Sequence, residues 1–130
     1  MKYTLIIHGS PAASPSSQTA LRFARTALRQ GHELVRIFFL GDGVYTASRI
    51  AVAPQGEQDL YQEWRNLGVE HGLDMVVCIS AALKRGLLDE QEAQRYNQPA
   101  FTVEPPFTVS GLGQLVDGTV TADRTITFGA

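Results

Sequence analysis

Gly31-His32-Glu33-Leu34-Val35-Arg36-Ile37-Phe38-Phe39-Leu40 reads as a helix stop followed by a strand, and Gly72-Leu73-Asp74-Met75-Val76-Val77-Cys78 repeats the pattern. In each a glycine closes a helical stretch and a short apolar run follows. Near-continuous rather than alternating hydrophobicity marks strands covered on both faces. Working outward from Gly31, the apolar residues Ala20, Phe23, Ala24, Ala27 and Leu28 recur at helical spacing and predict a helix over Gln18–Gln30. A Pro/Ser/Ala loop, Ser10–Ser17, separates it from a first strand at Tyr3–Ile7. Beyond Leu40, Gly41-Asp42-Gly43 breaks the strand and a loop runs through Pro54 and Gly56. The next helix spans about Glu57–His71, with Leu60, Trp64 and Leu67 facing inward. Asp74–Cys78 is the third strand and Ile79–Arg85 a helical segment ended by Gly86. Asp89 is suited to cap a short helix reaching Tyr96. Phe101–Val103 is expected as a short fourth strand closed by Pro105-Pro106, Ser110–Val120 holds a helix, and Arg124–Phe128 is the last strand.

Strand–helix alternation with buried strands predicts a single three-layer α/β domain over residues 1–130. Its mostly parallel sheet of about five strands would be flanked by helices on both faces, flavodoxin-like in outline. Ligands and reactive groups in such sheets gather at the carboxyl ends of the strands. That singles out the loops Gly9–Ser17 and Gly41–Ser48 and the turn at Cys78.

Composition narrows the function. Charged residues make up 18% of the 130 and the net charge is -2, with no basic run. Gripping a phosphate backbone takes several clustered cations, so direct nucleic-acid binding is not expected. No run approaches the roughly 20 apolar residues of a membrane span. The apolar run at the N-terminus ends after Ile7, too early for a signal peptide, so a cytoplasmic protein is expected. A single cysteine excludes an internal disulfide and a Cys-rich zinc site; neither metal nor cofactor is expected.

Cys78 ends its strand and precedes a helical segment, a position at which backbone N–H groups and the helix dipole favour thiolate. The alternative is a small buried hydrophobe, and position alone does not separate the two. Lys84 stands where a phosphatase loop of the Cys-x5-Arg kind needs its arginine, and the stretch Ile79–Leu83 has no glycine to let amides wrap a phosphate. A Cys-His hydrolase needs a positioned base. His32 and His71 lie at helix ends, and His8 reaches Cys78 only if their strands are neighbours. Thiol–persulfide exchange needs little more than a thiolate, access and a partner thiol. Asp42 and Tyr45 could shape the mouth near Cys78, although an Asp between glycines is commonly a turn residue. Lys84 and Arg85 could hold thiolate or simply serve the helix end. Arg85 is about 10 Å from Cys78 along a continuous helix. Trp64 reads as core.

The segment Cys78-Ile-Ser-Ala-Ala-Leu-Lys-Arg-Gly-Leu-Leu-Asp-Glu resembles the surroundings of the active cysteine in the TusD/DsrE sulfur-transfer family. Phe38-Phe39-Leu40-Gly41-Asp42-Gly43-Val44-Tyr45 is similar to that family's strand and Asp-Gly-Val loop. Gly31-His32-Glu33-Leu34, Ser110-Gly111-Leu112-Gly113-Gln114-Leu115 and Asp123-Arg124 match as well. The resemblance runs the length of the chain. It departs at Leu40, where an aromatic is expected, and in the Gly9–Ser17 loop; His8 matches no family role. It implies a DsrE/F-like fold and a persulfide relay through Cys78. It further implies a heterohexamer with TusB- and TusC-like subunits, a TusA-like donor and a TusE-like acceptor. The end use would be tRNA wobble-uridine 2-thiolation or, in DsrE-type relatives, sulfur oxidation.

Two other classes compete. A non-catalytic scaffold subunit would share the fold and dispense with the thiol. A flavin- or nucleotide-binding protein would use Ser14, Ser16, Ser17 and Thr19 after the first strand, but lacks a Gly-rich fingerprint.

Overall fold

The computed structural model describes residues 1–130. Five strands, β1 (Lys2–Ile7), β2 (Glu33–Phe39), β3 (Met75–Cys78), β4 (Phe107–Ser110) and β5 (Arg124–Phe128), form one sheet in the order β4-β3-β2-β1-β5. Every pairing is parallel. The helices are α1 (Ser16–Arg29), α2 (Leu60–His71), α3 (Ile79–Lys84), α4 (Glu90–Arg95) and α5 (Gly113–Thr121), and a 3-10 helix covers Gly41–Ala47.

Handedness decides where the helices lie. The chain steps from β1 to β2 to β3 to β4 in one direction along the sheet, then returns past β1 to β5. Right-handed crossovers therefore put the outward connections on one face and α5 on the other. Side-chain contacts agree. Tyr3 packs edge-on against Phe23 of α1, and Phe39 against Trp64 of α2. On the opposite face Thr4 donates to Gly118 of α5 (2.8 Å). The main core lies under α1 and α2, where Leu5, Ile7, Ile37, Phe39, Trp64 and Val77 are fully buried. The layer formed by α5 is thinner: among its residues only Gly118 is buried. A Cβ on Gly118 would lie 3.2 Å from Thr4 Oγ1, so the glycine lets α5 approach the sheet.

Arg36 fastens α5 to the sheet. Its guanidinium donates to Asp117 (2.9 Å), to the Gln114 carbonyl (2.8 Å) and to Asp74 (2.8 Å). The hydrogen bond to Asp117, and after it the one to Asp74, outweigh burial and raise the Arg36 pKa above its usual value. Since the folded value is the higher one, this contribution is complete at neutral pH and is lost only in strong alkali. The two carboxylates are 45% and 65% exposed, which discounts the charge contribution. Arg36→Ala is expected to cost about 1–2 kcal/mol, less in high salt, read as a fall in thermal midpoint.

Most expected elements are present, with shifted ends. Asp59 accepts from the Gln62 amide (3.1 Å), so α2 begins at Leu60 rather than Glu57. Asp89 caps α4 as anticipated, accepting from Glu92 N–H at 2.8 Å. Gly31 and Gly72 take positive φ, +83° and +61°, as helix stops. The expected strand at Phe101–Val103 is corrected. The amides of Thr102 and Val103 donate to Leu88 O (2.8 and 3.0 Å), tying the segment to the loop before α4 instead of to β3. The edge strand is Phe107–Ser110, directly after Pro105-Pro106, so Ser110 is strand and the last helix starts at Gly113. The stretch Gly41–Ala47, expected as open loop, winds into a 3-10 helix.

Candidate functional site

The connection after β3 goes to one face of the sheet and the connection after β4 to the other. Adjacent strands whose connections diverge leave a crevice at their carboxyl ends, the usual ligand position in open α/β sheets. Cys78 ends β3, Ser110 ends β4, and the two are paired in register. The chain's single thiol thus stands at the topological switch point.

Cys78 closes β3 and caps α3 with extended backbone, φ -61° and ψ 119°. It is 2% exposed. Its Sγ lies 3.5 Å from Ser80 Oγ, two residues on and exposed at the start of α3. On one side the 3-10 helix Gly41–Ala47 packs against β3 and α3. On the other, Ser110 leads into Gly111-Leu112-Gly113, where a Cβ on either glycine would meet nothing within 4 Å.

Arg85 does not reach back to the thiol. Its Nε donates to Asp42 (2.9 Å) and its Nη1 to Ala81 O (3.0 Å), closing the end of α3 and tying it to the 3-10 helix. Asp42 is therefore an ion-pair partner as well as a turn residue. Lys84 is exposed at the end of α3. Tyr45 is 41% exposed and lines a separate cleft with Pro11 and Ala12. His8 is not beside Cys78. Strand β2 lies between β1 and β3, which separates the two backbones by two strand spacings, roughly 10 Å. The His8 ring packs on the Gly41 turn instead, its Nδ1 3.2 Å from where a Gly41 Cβ would stand. His32 stacks edge-on against Tyr3 and meets the N-terminal amine at 3.1 Å. His71 lies exposed at the end of α2, 4.0 Å from Glu70. With no imidazole at the crevice, the arrangement lacks the base a Cys-His hydrolase requires.

Three of the first loop's hydroxyls bond within the loop, and Ser17 Oγ has no partner. Ser14 Oγ donates to Ser16 Oγ and accepts the Ser16 amide, and Thr19 Oγ1 donates to Pro15 O. Ser17 is fully buried. Sequence reasoning gave no role to Ser80, in contact with Cys78, or to Ser110, its register partner on β4. The spacing Cys-x-Ser at a helix start was a signal for Ser80; Ser110 needed the strand register.

Fold and site together define a single-domain, all-parallel α/β protein whose one thiol occupies the switch-point crevice without an attendant base. The sequence profile of the DsrE/DsrF-like family matches residues 1–128. The chain belongs to that family and stands among its TusD/DsrE-type sulfurtransferases. It is 47% identical to a sulfurtransferase TusD homolog of Pseudomonas aeruginosa, covering 99% of this chain and 98% of that one. It is 43% identical to a candidate DsrE sulfurtransferase of Allochromatium vinosum, covering 99% of both chains. The sulfurtransferase TusD of Salmonella newport is 38% identical, with 98% of this chain and 100% of that one covered. The crystal structure of the YchN protein of E. coli shares the fold, with a TM-score of 0.77 at 21% identity over 98% of this chain and 100% of that one. No helix is long and apolar enough to cross a membrane.

Proposed function

We propose that this sulfurtransferase takes up sulfur as a persulfide on Cys78 and relays it to a partner protein. The position of the lone thiol at the β3/β4 crevice carries the reading. The Cys78 thiolate attacks the outer sulfur of a donor persulfide; a new S–S bond forms as the donor's breaks. The donor leaves as a thiolate and no net oxidation occurs. The acceptor's thiolate then repeats the exchange on Cys78. The sulfur is destined for 2-thiolation of the tRNA wobble uridine, in the cytoplasm, with the tRNA held by a later protein. TusB- and TusC-like subunits complete a heterohexamer; a TusA-like protein donates and a TusE-like protein accepts. The TusD names of full-length relatives support this destination. The 43% identity to the DsrE-type relative favours a second destination, sulfur oxidation.

Burial of Cys78 sets a condition on the relay: the segments over the thiol must yield when a donor arrives. The Gly111–Gly113 loop, which follows the strand end paired with Cys78, is the segment we propose to do so. The test is intact mass, without reductant, after incubation with a persulfidated carrier protein. A gain of one sulfur atom that reductant removes is the expected result. No gain, even with the assembled complex and several donors, would replace the relay with the scaffold reading.

A further inference from the structure

The Ser80 hydroxyl is the one side-chain hydrogen-bond partner of the Cys78 sulfur, with Oγ 3.5 Å from Sγ, and it bonds to no other group in the fold. Between a thiol and a hydroxyl either atom can donate. Once the thiol is ionised only Ser80 can, so in the state that attacks sulfur the contact has a fixed sense, O–H to S⁻. A bond to an ionised acceptor is also the stronger kind. The contact is local, from the last residue of β3 to the second of α3, so it survives movement of the Gly111–Gly113 loop that covers the thiol.

The elements packed around Cys78 offer no charged group in place of this donor. On the 3-10 helix Asp42 is paired with Arg85 (2.9 Å), and Lys84 is exposed at the far end of α3. Beside the thiol β4 places the uncharged Ser110, followed by Gly111-Leu112-Gly113. The His8 ring packs on the Gly41 turn.

We infer that the Ser80 hydroxyl is a catalytic hydrogen-bond donor to Cys78, holding its sulfur as thiolate both when it attacks and when it leaves. In loading, the Cys78 thiolate takes the outer sulfur of the donor and the donor departs with the electron pair of the broken S–S bond. In discharge, the acceptor thiolate takes that outer sulfur and the electron pair returns to Cys78 Sγ. Cys78 therefore carries negative charge at the start of one exchange and at the end of the other, and a better-stabilised leaving thiolate departs faster. The part played in loading and discharge rests on the proposed relay; the hold on the thiolate does not.

The test is the rate at which iodoacetamide alkylates Cys78, followed by intact mass from about pH 6 to about pH 10 in wild type, Ser80→Ala and Ser80→Thr. The single cysteine makes the mass gain unambiguous. Ser80→Ala is expected to react about three- to tenfold more slowly near pH 7. The gap should close or slightly reverse towards about pH 10, where thiols ionise unaided and the unbonded thiolate is the better nucleophile. Ser80→Thr keeps the hydroxyl and should stay within about twofold of wild type. Because Ser80 is exposed, the thermal midpoint of Ser80→Ala should lie within about 2 °C of wild type. Equal rates for Ser80→Ala and wild type near neutral pH overturn the inference. So does a gap that is undiminished at high pH, which would mean altered access, or a Ser80→Thr protein as slow as Ser80→Ala. If Cys78 takes no sulfur from a persulfidated carrier while alkylation behaves as expected, the relay fails and the hydroxyl's hold on the thiolate stands. If sulfur loads and discharges at the same rate with and without the hydroxyl, the relay stands and Ser80 has no part in it.

Discussion

Cys78→Ser is expected to abolish sulfur acceptance completely while leaving the protein folded. The chain contains no other cysteine, so no second thiol can stand in. A serine hydroxyl is not ionised at neutral pH and does not attack sulfane sulfur, so the variant should show no added sulfur in intact mass under conditions that load the wild type. Folding should survive because the exchange is nearly isosteric. The thiol's polar contact is Ser80 Oγ at 3.5 Å, which a hydroxyl can also address. The site is nonetheless buried, 2% exposed, and a hydroxyl is costlier to bury than a thiol. A loss of about 1 kcal/mol, or roughly 3–5 °C in thermal midpoint, is the expected extent. A Cys78→Ser protein that still gains a reducible sulfur would remove Cys78 from the mechanism. A variant that fails to fold would show the thiol to be chiefly a packing element.

What could be read from the residues follows the range of the interactions concerned. Helix stops at Gly31 and Gly72 and the Asp89 cap are local, set by one residue and its next few neighbours, and they hold. The parallel sheet follows from apolar runs of strand length separated by helices. The edge strand does not follow in the same way. Phe101–Val103 and Phe107–Ser110 are both very short, and what separates them is the Leu88 carbonyl that takes the amides of Thr102 and Val103. Placing Cys78 at a carboxyl edge needed only the strand it ends. Knowing that β4 lies beside it, that β2 keeps His8 away, and that Arg85 turns to Asp42 needed the strand order.

The Gly41-Asp42-Gly43 break holds a stronger constraint than turn formation. Gly43 does not adopt a positive φ; its requirement is space. A Cβ there would stand 2.1 Å from the carbonyl oxygen of Ile7 and 2.9 Å from its carbon. That oxygen already accepts the Leu40 amide at 2.9 Å, and β1 is fixed by β2 and β5 on either side, so it cannot retreat. Gly43→Ala must therefore push the 3-10 helix off the strand end. About 3 kcal/mol or more is expected, the upper range of overpacking, or about 10 °C in thermal midpoint. Gly113→Ala is the comparison: its Cβ meets nothing, its φ is not positive, and it begins a helix. It is expected to be neutral or to stabilise by up to about 1 kcal/mol. The difference matters for function because the displaced helix carries Asp42, tied to Arg85 at the end of the thiol's helix. Gly43→Ala protein that does fold should therefore lose sulfur acceptance. A midpoint within about 2 °C of wild type would mean that the 3-10 helix yields at little cost, and that Gly43 serves the turn alone.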